Sequence, residues 1–154
     1  MENPLLELQE YENLREALKR AKGPVQATGT LDSQKVHLMY WLGKDGGFPW
    51  KLVVTYDDQR AREIYEDFRS FTENVWLYPA KDLLFYSADI HGNLMTRQRI
   101  AVWRHLMEEK EGVVVTTLDG LMDHLLPLVF LSSRREQRGM VEAIYDGEFR
   151  QIFL

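Results

Sequence analysis

The sequence predicts an α/β fold with three layers, in which a mainly parallel sheet carries helices on both faces. The first indication is a strand–helix–strand pattern over residues 50–84, WKLVVTYDDQRAREIYEDFRSFTENVWLYPAKDLL. The second is a series of short apolar runs without polar alternation, which is typical of strands covered on both faces. The third is Asp146-Gly147 between two strand-like runs, a strong signal of a C-terminal β-hairpin.

The central stretch predicts a right-handed βαβ unit. Residues 52–55 and 75–78 are its two buried strands, and Asp57 and Asp58 open the helix at the positive end of its dipole. Apolar residues recur every three or four positions on one face of this helix, and a charged, solvated row lies opposite. The apolar face comprises Ala61, Ile64, Tyr65, Phe68 and Phe71, and the solvated row comprises Asp58, Arg62 and Glu66.

Two helices and a short strand precede this unit. Asn3 followed by Pro4 predicts a helix start, and the helix reaches about residue 22. Residues 25–28 predict a first strand and residues 33–42 a second helix, before a loop over residues 43–47. The apolar stripe of the first helix is Tyr11, Leu14, Leu18 and Ala21.

The C-terminal half predicts a long helix, the clearest strand of the chain, and a short helix. The long helix is capped by Asn93 or Thr96, runs to about residue 110 and stops at Gly112. Residues 113–117 are predicted as the strand and residues 118–126 as the short helix. Asp119 is predicted as a helix cap, which is favoured over a metal-binding acidic motif across residues 113–119 because the carboxylate lies too far past the apolar run. The inward face of the long helix is predicted as Met95, Ile100, Val102, Trp103, Leu106 and Met107.

These patterns add up to four buried parallel strands followed by one hairpin. A change of composition near residues 128–139 divides the chain into an α/β domain over residues 1–128 and a connector with the hairpin over residues 129–154. Residues 82–91 look irregular.

Composition narrows the functional classes. The 154 residues carry a formal net charge of −5, which disfavours DNA binding by this domain alone. The chain has no cysteine, which suits a reducing compartment. No apolar run is long enough to cross a membrane, and the acidic N-terminal stretch is unlike a signal peptide. We therefore expect a cytoplasmic protein.

Residues 26–33, QATGTLDS, lie between the first predicted strand and a helix, where a phosphate-binding loop would lie. Such a loop needs glycines that let backbone N–H groups face the phosphates, a lysine for the terminal phosphates, and a hydroxyl for magnesium. Thr28, Gly29, Thr30 and Ser33 fit this composition. Two interpretations stay open: a short loop in which Asp32 caps the next helix, or a nucleotide site with an altered loop.

The loop is similar to the helicase-type phosphate loop of UvrB-like proteins, whose pattern is Gly-x-Thr-Gly-Thr-Gly-Lys-Thr. Gln26 and Leu31 stand at two of its glycines, and Asp32 stands at its lysine. Further segments over residues 4–128 resemble, in order and spacing, the transcription-repair coupling factors (the Mfd family). They are KLVVTYDDQRAREIYEDFRSF, WLYPAKDLLFYS, TRQRIAVWRHL and GVVVTTLDGLMDHLLP.

This resemblance implies the P-loop NTPase-like, UvrB-like N-terminal domain of a coupling factor, with a degenerate phosphate loop and no cofactor. It implies a non-catalytic scaffold within a full-length protein that resembles an ATP-dependent DNA translocase. The implied partners of that protein are UvrA and RNA polymerase, which it links in nucleotide excision repair. The alternatives are a nucleotide-binding domain with an altered loop and a stand-alone protein-interaction domain.

Two basic clusters are candidate contacts for a partner protein or a DNA backbone. The alternative interpretation is a solvated face with one structural pair. The first lies beside His105 on the long helix, and the second lies in the connector. They comprise Arg97, Arg99 and Arg104, and Arg134, Arg135 and Arg138.

The histidines and tryptophans indicate structural roles. The four histidines are scattered, with no pair three or four apart on one helix, so neither a zinc site nor a catalytic triad is predicted. The four tryptophans lie in or beside predicted elements, and we expect them to pack in the core.

Overall fold

The computed structural model describes residues 3–20, 23–80, 89–122 and 152–153, and for residues 32–33, 89–94 and 152–153 it describes the backbone alone. Within these ranges the chain is α/β, with a small parallel sheet and five α-helices. In chain order the elements are α1 (Gln9–Arg20), β1 (Val25–Gln26), α2 (Asp32–Asp45), β2 (Trp50–Thr55), α3 (Asp58–Arg69), β3 (Val75–Tyr78), α4 (Asp89–Glu108), β4 (Gly112–Thr117), α5 (Leu118–Met122) and β5 (Ile152–Phe153).

The predicted strand–helix–strand unit is present as β2, α3 and β3. Its two strands are not neighbours, because β4 lies between them and the sheet order is β2-β4-β3. All pairings are parallel, with Leu52 opposite Val114 and Trp76 opposite Val114 on the other side. Every residue of β4 is buried, as expected for the strand that is flanked on both sides.

Helix α3 packs on one face of this sheet in the predicted phase. Ala61, Ile64 and Phe68 are buried and belong to one core cluster with Val113 and Val115 of β4. The predicted solvated row, Asp58, Arg62 and Glu66, is exposed. The helix begins at a side-chain cap, because Oδ1 of Asp57 accepts a 2.6 Å hydrogen bond from the backbone N–H of Arg60.

Helix α4 covers the opposite face, so helices flank the sheet on both sides. Val102 packs there with Tyr78 and Val114. The predicted inward face was wrong at two positions, since Ile100 is 46% and Met107 39% exposed. The helix also begins at Asp89, earlier than a cap at residue 93 or 96 would place it.

Two predictions about the strands were wrong. β2 is an edge strand whose exposure alternates, with Leu52 and Val54 more than two-fifths exposed, so it is not covered on both faces. β1 does not join the main sheet among the described residues; it pairs in parallel with β5, Val25 opposite Ile152. The remainder of the predicted hairpin, including Asp146-Gly147, and the boundary near residues 128–139 lie outside the described residues.

A second core joins the two N-terminal helices. Tyr11 and Leu18 of α1 pack with Trp41 and Leu42 of α2. Asn3 does cap a helix start, since its Oδ1 accepts a 2.8 Å bond from the N–H of Leu5. That start is a separate 3₁₀ turn, Pro4–Glu7, so the single continuous helix that was predicted is wrong.

Helix α2 extends past its predicted end at residue 42 and includes Gly43. Gly43 is buried beneath the side chain of Lys51, and a Cβ there would lie 2.6 Å from Lys51 Cε. This glycine therefore serves close packing inside a helix, whereas the sequence suggested a loop.

Two residues that were predicted to end or to cap a helix have other roles. Gly112 is the first residue of β4 and lies four residues beyond the end of α4; it leaves room for the rings of Trp50 and Trp76. The cap of α5 is Thr117, whose Oγ1 accepts a 3.1 Å bond from the N–H of Gly120, so Asp119 is not the cap. The predicted end of that helix, at residues 123–127, lies outside the described residues.

Candidate functional site

The loop between β1 and α2 has the predicted strand–loop–helix context. Gly29 adopts φ +83°, a left-handed conformation that glycine allows without steric cost. Thr28 and Gly29 are exposed and Thr30 is half-buried. The backbone thus makes a tight, accessible turn before the helix.

The start of α2 differs from the prediction. The residue preceding the helix is Leu31, which is 67% exposed, and Asp32 is the first helical residue, so Asp32 is not the cap. The N–H of Leu31 donates a 3.3 Å bond to Oε1 of Gln34. Asp32 and Ser33 both lie in the first turn of α2.

The strand that precedes this loop is not part of the three-stranded sheet. Among the described residues its preceding strand, β1, pairs with β5 alone. The segments that follow β2 and β3 do not resemble a phosphate loop in sequence, and α5 follows β4 directly.

The arginine cluster on α4 is divided by burial. Arg97 is exposed, and Arg104 Nε lies 3.9 Å from Glu108 Oε2 on the surface. Arg99 is only 6% exposed. Its Nε and Nη2 donate to the Tyr78 hydroxyl over 3.0 and 2.7 Å, so this guanidinium holds α4 against β3 and does not share the exposed face. Arg134, Arg135 and Arg138 lie outside the described residues.

The two histidines whose side chains the structure describes, His37 and His105, have structural neighbours. Nε2 of His37 accepts a 2.9 Å bond from the indole N–H of Trp41, and its ring stacks on Phe71 at 5.4 Å. His105 stacks on Trp76 with ring centroids 4.7 Å apart. No group of three potential metal ligands occurs among the described side chains.

The tryptophans pack as predicted. Trp41 is buried, whereas Trp50, Trp76 and Trp103 are partly buried and lie against the α4 side of the sheet. The rings of Trp50 and Trp76 lie 5.7 Å apart.

A groove beside β3 was not predicted from the sequence. It lies between α3 and α4 and has a volume of about 360 Å³. Its apolar part is formed by Tyr65, Trp76, Leu77, Ala101 and Val102, and its polar rim by Arg62, Glu66 and Gln98. The sequence predicted Arg62 and Glu66 as part of a solvated row on α3. The groove itself could not be predicted, because it forms only where α4 lies beside α3 in the folded chain.

Comparisons of the chain with protein-family models, with curated proteins and with solved structures give no match. Within the described ranges, no helix is both long and apolar enough to cross a bilayer.

Proposed function

We propose that the chain is a non-catalytic scaffold domain, the UvrB-like module at the N-terminus of a transcription-repair coupling factor. The support is the order of the resembling segments along the fold. KLVVTYDDQRAREIYEDFRSF runs through β2 and α3, TRQRIAVWRHL lies on α4, and GVVVTTLDGLMDHLLP begins with β4 and α5. On this proposal the fold is that of a P-loop NTPase whose catalytic use has been lost, and among the described residues the strand before the loop, β1, is not part of the three-stranded sheet.

The observation that carries the proposal is the position of Asp32 in the first turn of α2, directly after the exposed Leu31. A triphosphate needs an ammonium group there. Two unit charges 4 Å apart interact by about 4 kcal/mol at an effective dielectric constant of ~20. Replacing attraction by repulsion therefore lowers nucleotide affinity by about a thousandfold or more.

The proposed partners follow from the resemblance. The full-length protein would link stalled RNA polymerase to nucleotide excision repair through UvrA, in the cytoplasm. This domain would contribute protein contacts and would not bind DNA alone, which agrees with its net charge of −5.

Isothermal titration with Mg-ATP tests the loss of nucleotide binding. We expect no binding heat at millimolar ATP. The matched variant is Asp32→Lys, which restores a cation in the same turn and should bind ATP more tightly than the parent. A dissociation constant below about 100 μM for the parent, about −5.5 kcal/mol, would overturn the scaffold proposal and favour the altered nucleotide site.

The repair assignment has its own test, which uses the whole reading frame. A coupling factor continues for many hundreds of residues, and its full-length product should bind purified UvrA in size-exclusion chromatography. A reading frame that ends near this chain, with a product that does not bind UvrA, would instead indicate a stand-alone interaction domain unrelated to repair.

A further inference from the structure

We propose that the groove between α3 and α4 binds an extended peptide segment with an acidic side chain, which adds a strand to the outer edge of β3. The inference rests on the proposed function, since it gives the scaffold a partner of defined chemistry. Three features of the groove support it. Among the described residues, the strand edge has no neighbouring strand, two helices enclose that edge, and a cation at the rim has no ion-pair partner.

The open edge follows from the parallel ladder. The N–H of Val113 donates a 2.9 Å bond to the carbonyl of Asn74, so that carbonyl points toward β4. Backbone groups alternate along a strand, and those of Trp76 therefore also point toward β4, whereas those of Leu77 point away from it. Among the described residues no strand pairs with this outer edge. No described residue bonds to the N–H or C=O of Leu77, so both are available to an added strand.

The flanking helices make this edge a recess. Tyr65 of α3 and Val102 of α4 line the groove on the two sides of β3, and Trp76 and Leu77 form its floor. An entering strand would pair its backbone with Leu77 and would place alternate side chains against the α3 wall and the α4 wall. This is the arrangement by which extended peptides bind to sheet edges, where main-chain bonds supply affinity and side-chain pockets supply specificity.

The charge of the rim selects the peptide. Arg62 is exposed, lines the groove, and has no carboxylate within ion-pair distance among the described residues. Glu66, the rim's acidic residue, is already paired, with its Oε2 3.4 Å from Arg69 Nη1. Within the part of the chain that the structure describes, the guanidinium of Arg62 therefore lacks a counter-ion, and it suits a carboxylate on the peptide.

The test uses a synthetic probe, the capped hexapeptide with alternating valine and glutamate, titrated into the ¹⁵N-labelled chain. A peptide of the same length with lysine in place of glutamate is the control for charge. We expect the glutamate peptide to bind with a dissociation constant below about 1 mM, to shift the Leu77 amide and the Trp76 indole signals, and to slow hydrogen exchange at Leu77. The lysine peptide should bind at least fivefold more weakly.

Two variants of the protein test whether the charge of Arg62 itself contributes to peptide binding. Arg62→Ala should weaken binding of the glutamate peptide by about three- to fivefold. Arg104→Ala removes the same charge from an exposed position outside the groove and should leave binding unchanged. N-methylation of the peptide backbone on its pairing edge should abolish binding, since strand addition needs those N–H groups.

Equal binding of the two peptides, equal effects of the two variants, or unchanged exchange at Leu77 would each overturn the inference. So would the absence of any shift at millimolar glutamate peptide. If the peptide does not bind and ATP does not bind either, only the peptide site is overturned and the scaffold proposal stands. If the parent binds ATP, the scaffold proposal is overturned.

Discussion

The hydroxyl of Tyr11 donates a 2.7 Å hydrogen bond to Oδ2 of Asp45 and thereby ties α1 to the carboxyl end of α2. Nδ2 of Asn3 donates to the same oxygen over 2.6 Å, and Arg15 Nη1 lies 3.9 Å away. Tyr11 is 3% exposed. Its burial, and then its bond to Asp45, raise its pKa above the ordinary tyrosine value.

This raised pKa predicts a loss of stability in alkali. The folded state keeps the Tyr11 proton at a pH where the unfolded chain releases it, so the contribution is complete below about pH 10 and is lost as the pH rises further. Urea unfolding between about pH 8 and about pH 11 should show a falling free energy of unfolding, and Tyr11→Phe should flatten that fall.

At about pH 8, Tyr11→Phe should also cost about 1–3 kcal/mol, because an ionised acceptor loses a donor. Tyr56→Phe is the matched control, since Tyr56 is 78% exposed and should leave both the stability and its pH dependence unchanged. An alkaline fall of the same steepness in Tyr11→Phe and in the parent would contradict the assignment.

The two faces of the sheet predict a graded series of variants, with Phe68 packed on the α3 side and Val114 on the α4 side. Phe68 is 1% exposed, and Phe68→Ala should cost about 3–5 kcal/mol through lost burial and a cavity. Val114→Asp should cost more, since it buries an unpaired charge. Arg62→Ala, on the exposed side of α3, should cost under about 0.5 kcal/mol. Urea unfolding measures all three, and a loss in Arg62→Ala as large as that in Phe68→Ala would show that the helix phase is wrong.

Two tryptophan rings lie so close to Gly112 that we expect no larger residue to be tolerated there. A Cβ on Gly112 would lie 2.8 Å from Trp50 Cζ3 and would overlap the ring of Trp76. Gly112→Ala should therefore destabilise the fold by about 1–3 kcal/mol, the usual cost of overpacking. Gly23→Ala serves as control, because no atom lies within 4 Å of a Cβ built there. Thermal unfolding of both variants would show equal melting temperatures if the packing account is incorrect.

DNA binding supplies a separate prediction. With a net charge of −5 the chain should not retard duplex DNA at physiological salt up to about 100 μM protein, the weak end of ordinary non-specific affinity. An electrophoretic mobility assay tests this. If a salt-sensitive shifted band does form, Arg97→Ala and Arg104→Ala should be tested first, since both side chains are exposed on α4.

Features that depend on local chemistry could be predicted from the sequence alone. The phase of α3 follows from apolar residues three and four apart, and its start at Asp57 follows from a short acceptor side chain that can reach a free N–H. The strand over residues 113–117 follows from a run of β-branched residues. Each depends on neighbours within a turn or two of chain.

Strand order and the burial of Arg99 depend on residues that are distant in the sequence, so only the tertiary structure determines them. Apolar runs identify buried strands but do not state which strand lies beside which, so the placement of β4 between β2 and β3 and the pairing of β1 with β5 were not predictable. Arg99 looked solvated because it is charged, yet it lies at the inward spacing between Met95 and Val102. Its burial depends on the Tyr78 hydroxyl, 21 residues away in the chain, because a buried guanidinium is tolerated only where acceptors meet it.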